Sequence, residues 1–208
     1  MINCSSIEFL YQHILALRDE SYNKPMIVLI GGCSRTGKTV LVSKLTENII
    51  SSGINTVSVK LDSWLISVEK RKEDSSVLER YEIPSIISSI KRLQQGERIY
   101  PPFYDAVSRR RITESGVAPI SIKEGILFIE GVIVLAIEEL VENASLRIFV
   151  DIPDELRRQR LVTFYSDIKR LDRKEYEDII KKREKEEVTF IKETAVSADV
   201  IFDGLKLQ

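Results

Sequence analysis

At 208 residues the chain has the length of one ordinary domain, and 43% hydrophobic against 30% charged residues is the balance of a folded globular protein, not a disordered one. The formal net charge of −1 sets up no field that would draw a nucleic acid or an anionic membrane, so neither is expected as a partner. Two cysteines, Cys4 and Cys33, cannot make a disulfide framework or a metal site, and no apolar run approaches membrane-spanning length.

The first element is an N-terminal helix within 1–22, where "SSIEFLYQHILALR" puts Ile7, Leu10, Ile14 and Leu17 on one stripe behind Ser5 or Ser6 as a cap. His13 lies on it and reads as a packing residue more readily than as a catalyst. The same stretch lacks the basic start and long apolar core of a signal peptide, so the cytoplasm is the expected compartment. "MIVLI" at 26–30 is a buried strand, followed by "GGCSRTGKTV" and a helix to about residue 51 that Gly53 stops. "NTVSVKL" is a β-branched strand leading into Asp62. From 63 to about 82 charges crowd and regularity fades. "PSIISSIKRLQQG" is a helix with Pro84 near its start and Gly96 past its end. Residues 97–124 hold short extended pieces and three prolines, which predicts a small hairpin insertion. A strand "ILFIE", a helix through "IVLAIEELV", a strand "LRIFVD", a charged helical region over 154–193 and a last strand "ADVIF" complete the chain.

Strands alternating with helices predict an α/β fold of three layers, a mainly parallel five-stranded sheet covered on both faces, within one domain over 1–208. The loop between the first strand and its helix says what such a fold would hold. Gly32, four residues, Gly37, Lys38 and Thr39 have the spacing that wraps a phosphate in backbone N–H groups at a helix N-terminus. Gly32, Cys33, Ser34, Arg35, Thr36, Gly37, Lys38, Thr39 and Val40 are therefore the candidate nucleotide site, with Lys38 reaching the β- and γ-phosphates and Thr39 offering its hydroxyl to Mg²⁺. Cys33 inside this loop is a small buried thiol or, less simply, a redox control point.

Ligands of open α/β sheets lie beyond the carboxyl ends of the strands, and two acids fall there. Asp62 either accepts the proton of an alcohol as a phosphoryl group moves onto it, or merely caps the next helix. Glu130 either helps hold Mg²⁺ or pairs with a neighbouring base for structure alone. Arg157, Arg158, Arg160, Lys169, Arg170 and Arg173 supply cations for a helical lid, with Arg160 and Arg170 taken as its contacts to phosphate. Tyr104, Asp105 and Arg109 to Arg111 form an aromatic and basic cluster on the hairpin, suited to a flat or anionic acceptor or simply to packing at an exposed edge.

In this order, "GGCSRTGKT", "LDSWL", "PPFYDAVSRRR", "FIEG" and "IFVD" resemble the landmarks of the uridine kinase and phosphoribulokinase family of P-loop kinases. The resemblance covers 26 to about 205 and implies ATP or GTP with Mg²⁺ as cofactors and a small-molecule phosphoryl acceptor, a nucleoside such as uridine or cytidine by default. It implies that Asp62 is the general base, that Tyr104 and Arg111 line the acceptor pocket, and that Tyr81 and Glu82 lie near it, because "RYEIP" is similar to the family's "NFDHP". Leu65 stands where uridine kinases usually carry a tyrosine, Arg109 where a base-recognising histidine is expected, and Phe164 and Tyr165 where the lid usually has an Arg-Asp pair. A vitamin precursor or a sugar phosphate is the alternative acceptor, the arginines at 109–111 favouring an anionic one. A GTP-driven switch lacks its Asn-Lys-x-Asp motif, and a pseudoenzyme is at odds with intact Lys38, Thr39 and Asp62. Oligomeric state is left open, a homo-oligomer included.

Overall fold

The computed structural model of the chain describes residues 1–18, 24–112 and 116–207. The end of the expected N-terminal segment (19–22) and part of the hairpin insertion (113–115) lie outside the described residues. The main sheet is built on β2 (Met26–Gly31), β6 (Ile126–Glu130) and β7 (Leu146–Asp151), all parallel, with Met26 opposite Ile126 and Val28 opposite Leu146. These strands are apolar almost throughout because helices cover both faces, and their side chains alternate between two cores. Ile27, Leu29, Leu127, Ile129 and Phe149 face one side, while Val28, Ile30, Phe128, Ile148 and Val150 face the other.

β3 (Thr56–Lys60) extends the sheet beyond β6, and β8 (Val200–Asp203) extends it beyond β7. A further strand, β1 (Ile2–Cys4), pairs in parallel with β8, so the sheet has six strands in the order β1-β8-β7-β2-β6-β3 and not the five expected. The correction has a physical reason. A three-residue strand carries no alternation to read, and it is held by backbone bonds to its neighbour, among them Ile2 N–H to the Asp199 carbonyl at 2.8 Å.

One face is covered by α1 (Ile7–Leu17), whose Ser6 accepts the Phe9 N–H, and by α2 (Lys38–Ser51). The other carries α3 (Ile83–Gln94), the turn Val134–Ala136, the short α4 (Glu138–Glu142) and α7 (Thr189–Glu193). The helix expected through "IVLAIEELV" is thus only a tight turn and one and a half turns of helix, since Ile133, Val134 and Ile137 are all buried and leave no solvent face for a regular amphipathic helix.

Beyond the sheet stand the hairpin of β4 (Phe103–Asp105) and β5 (Arg110–Ile112), paired antiparallel, and the lid. The lid runs as α5 (Asp154–Thr163), a π-helical turn at Phe164–Ile168, a reversal, α6 (Arg173–Arg183), a second π-helical turn at Glu184–Val188, and α7. Asp172 caps α6 in a reciprocal box with Glu175. Among the described residues no helix is long and apolar enough to cross a membrane.

Candidate active site

The loop after β2 is set by sterics. A Cβ on Gly32, at φ +134°, would stand 2.4 Å from the Val150 carbonyl oxygen of the adjacent strand, so only glycine lets the chain turn there. Gly37, at φ +107°, precedes α2, and no side chain caps that helix, which leaves its first N–H groups and positive end facing the loop. Thr36 closes the loop from within, its hydroxyl donating to the Cys33 carbonyl at 3.0 Å. Cys33 is buried, and burial pushes its thiol up, which keeps it protonated and argues for the inert reading over the redox one. Val40 lies in the first turn of α2 with its side chain exposed, so any contact it makes here is through backbone.

Lys38 is buried and donates to the carbonyls of Gly32 at 2.9 Å and Cys33 at 2.8 Å. Burial lowers its ammonium, and the carboxylates of Asp62 and Glu130 oppose that effect, so one cation and two anions share the mouth of the loop. Thr39 donates to Glu130 Oε2 at 2.8 Å across from the end of β6. The other oxygen, Oε1, is buried without a hydrogen bond, with the exposed Lys60 ammonium 3.8 Å away. Burial raises the Glu130 carboxyl while Thr39 and Lys60 pull it down. An orphaned carboxylate oxygen beside a threonine hydroxyl is an oxygen donor set that fits Mg²⁺, which needs only one or two protein ligands when phosphates supply the others.

Asp62 lies in the tight turn Leu61–Trp64 just past β3 and is exposed toward the same mouth. The capping alternative does not describe it: the residue at the cap position is Lys60, and Asp62 Oδ1 accepts from the Tyr81 hydroxyl at 3.3 Å. Tyr81 itself is buried, and Glu82, at the start of α3, is exposed with its N–H on the Trp64 carbonyl at 3.1 Å.

On the hairpin, Tyr104 pairs across from Arg111, and its hydroxyl accepts from Arg71 at 2.9 Å. The Arg111 N–H donates to Ser67 at 2.9 Å, while its Nε is buried without a partner. Arg109 occupies a left-handed turn position at φ +58°, with an exposed side chain and a carbonyl that accepts the Val68 N–H at 3.0 Å. From the lid, Arg160 reaches the Arg35 carbonyl at 3.2 Å, and the Arg35 guanidinium lies 3.5 Å over the Phe164 ring. Lys169 donates to the Ala106 carbonyl, joining lid to hairpin. Arg170 beside it is exposed at a left-handed turn, so of the two lid arginines expected to meet phosphate only Arg160 contacts the loop.

The profile of the phosphoribulokinase / uridine kinase family matches residues 27–208. The chain belongs to that family. Among curated members, the uridine kinase of Leuconostoc citreum (strain KM20) is 25% identical over 140 residues, which are 64% of this chain and 65% of that protein, so the likeness spans about two thirds of each. A protein of Silicibacter sp. TM1040, provisionally named a fructose transport system kinase, superposes with a TM-score of 0.79 at 17% identity over 95% of this chain and 99% of its own. One of Bacillus stearothermophilus, provisionally named a uridine kinase, gives 0.65 at 21% identity over 95% and 97%. At those identities the two structures speak for the family fold alone.

Two charged residues around the loop and the hairpin escaped the sequence. Arg71 sits in a charged stretch with no spacing to single it out. Arg183, at the end of α6, donates to the Tyr165 hydroxyl at 2.9 Å and pairs with Glu187 at 3.1 Å, and its charge acts on both Lys38 and Arg35. Arg183 also lines one small cavity together with Cys33 and Ser34 of the loop.

Proposed function

We propose that the protein is a nucleoside-triphosphate-dependent kinase that moves a phosphoryl group onto a hydroxyl of a small metabolite in the cytoplasm. A nucleoside such as uridine or cytidine is the first acceptor, and ATP or GTP is the donor. The observation that carries the reading is the exposed Asp62 carboxylate at the mouth of the phosphate loop, sharing the field of Lys38. Lys38 would exchange its two loop carbonyls for phosphate oxygens, and the uncapped N-terminus of α2 would hold them. Thr39 and Glu130 would hold Mg²⁺, which when bound supplies charge neutralisation at the phosphates. Asp62 would orient the acceptor hydroxyl and take its proton, while Arg160, Lys169 and Arg183 exclude water under the lid.

A specific feature favours a second reading of the acceptor. Arg71, Arg109 and Lys169 crowd one another: Lys169 is lowered by burial and then by Arg109, Arg183 and Arg35, and Arg71 by burial and Arg109 against the pull of Tyr104. With the Arg111 Nε unpartnered beside them, an acceptor bearing a phosphate or carboxylate would relieve that repulsion. The test mixes protein, Mg²⁺ and ATP or GTP with uridine, cytidine, nicotinamide riboside, pantothenate or ribulose 5-phosphate and measures acceptor-dependent release of ADP or GDP. Turnover of uridine or cytidine upholds the first reading, and turnover of the anionic acceptors alone upholds the second. Asp62→Asn is expected to keep nucleotide affinity and lose roughly 10²-fold or more in kcat. Normal turnover by that variant would reduce Asp62 to a bystander.

A further inference from the structure

Tyr81 is placed where it can do more than line a pocket. Its ring is buried, 9% exposed, and its hydroxyl donates to Asp62 Oδ1 at 3.3 Å. The backbone fixes that approach. Leu65 and Tyr81 form an antiparallel bridge, Ile66 N–H meets the Arg80 carbonyl at 2.9 Å, and Glu82 N–H meets the Trp64 carbonyl at 3.1 Å. The Trp64 indole adds a bond to Ser85 at 3.2 Å. Segments 64–66 and 80–82 therefore form a strap that holds Tyr81 beside Asp62, which lies in the turn just before it.

We propose that Tyr81 is a positioning residue that pins Oδ1 of Asp62 and leaves Oδ2 aimed at the acceptor hydroxyl. The proposal rests on the reading of Asp62 as the base. An exposed aspartate alone rotates among several rotamers, and a base that must meet a hydroxyl within hydrogen-bond reach loses rate when it does. The Tyr81 hydroxyl remains a donor, because burial and then the charges of Asp62 and Glu187 push it well above the ordinary phenol range, with Arg183 opposing. The charged groups that act on the pair come from every side: Lys38 and Arg35 from the loop and α2, Glu130 from β6, Arg71 from the segment before α3, and Arg183 and Glu187 from the lid. In "RYEIP" Tyr81 stands where the "NFDHP" motif carries phenylalanine, so the hydroxyl is this chain's departure from that motif and Tyr81→Phe is a fold-compatible way to delete it.

The test has two arms. In the first, protein labelled with ¹³C at the tyrosine ζ carbons is compared with Asp62→Asn at neutral pH, Tyr81→Phe identifying the resonance. The Tyr81 signal is expected to move, and an unmoved signal would overturn the contact. In the second, Tyr81→Phe is assayed with the acceptor that turns over fastest in the panel above. The expected result is a kcat lower by roughly tenfold, short of the 10²-fold loss a displaced catalytic group can cause, with both KM values unchanged and no further loss when the change is added to Asp62→Asn. A loss confined to KM, or one that persists in the Asp62→Asn background, would make Tyr81 a packing or substrate contact. Normal turnover of Asp62→Asn alone would sink the base and the inference together, whereas a normal Tyr81→Phe beside a dead Asp62→Asn sinks only the inference.

Discussion

β2, β6 and β7 bury nearly every side chain they carry, whereas the lid over 154–193 keeps a small apolar cluster of its own, Leu161, Tyr165 and Ile180, and meets the main core at its far end through Val188, Phe190 and Ile191. The lid closes instead through charge: Arg80 on Glu186 at 2.6 Å and Glu187 at 2.9 Å, Arg183 on Glu187, Arg158 on Glu184 at 3.0 Å and Lys192 on Asp154 at 2.6 Å. Apolar burial is non-directional and is not screened by salt, and it sets a rigid platform. Ion pairs at a half-wet surface are modest, screened and reversible, which is what an element that must open for substrate requires.

Breaking the platform should cost the most. Phe128, on β6, is fully buried in the core that the sheet shares with α1 and α2, and Phe128→Ala is expected to destabilise the protein by about 3–5 kcal/mol. Urea unfolding measures it, and a loss near 1 kcal/mol would mean the sheet is less tightly packed than described. The lid counterpart is Arg80→Ala. Arg80 and Glu187 are 16% and 13% exposed, and removing the guanidinium unties the lid from the strap that bears Tyr81 while Glu187 keeps Arg183. The expected loss is about 1–2 kcal/mol of lid closure, with the urea midpoint nearly unmoved. Hydrogen exchange should quicken across 184–193 and stay unchanged in β2 and β6. Uniform quickening would erase the distinction between the two halves.

The same contrast explains what could be read without coordinates. "MIVLI" and "ILFIE" announce buried strands because nothing but a two-faced sheet hides so many adjacent apolar side chains, and Gly32 to Thr39 announce a phosphate loop because the geometry tolerates few other residues. β1 was invisible because three residues hold no period. The lid was legible as charged helix, but the run 181–187 has no spacing that marks Arg183 or Glu187, and the two π-helical turns that bring Tyr165 and Arg183 together leave no local signal. The bond from Tyr81 to Asp62 joins residues 19 apart through a strap of backbone hydrogen bonds, a tertiary fact that no motif encodes.

The finest test of the comparison lies inside the platform, at a place where it too uses charge. Asp199 accepts from Arg147 three times, from the backbone N–H at 2.9 Å, Nε at 2.9 Å and Nη2 at 2.6 Å, and its own carbonyl holds β1. Burial pushes the Asp199 carboxyl up, but the bonds and charge of Arg147 outweigh it and hold the group below its ordinary value. A depressed acid binds its proton less readily folded than unfolded, so its stabilisation is fully present above the ordinary aspartate value and is lost as pH falls through the lower, folded one. With the two side chains 32% and 36% exposed, water screens the pair and the contribution is about 0.5 kcal/mol. Asp199→Asn should therefore lower thermal stability slightly at pH 7 and not at all in acid below the folded value. If the gap between variant and parent is the same at both, the bond geometry matters and the charge does not. If it exceeds the Arg80→Ala effect, the platform depends on charge more than its apolar strands suggest.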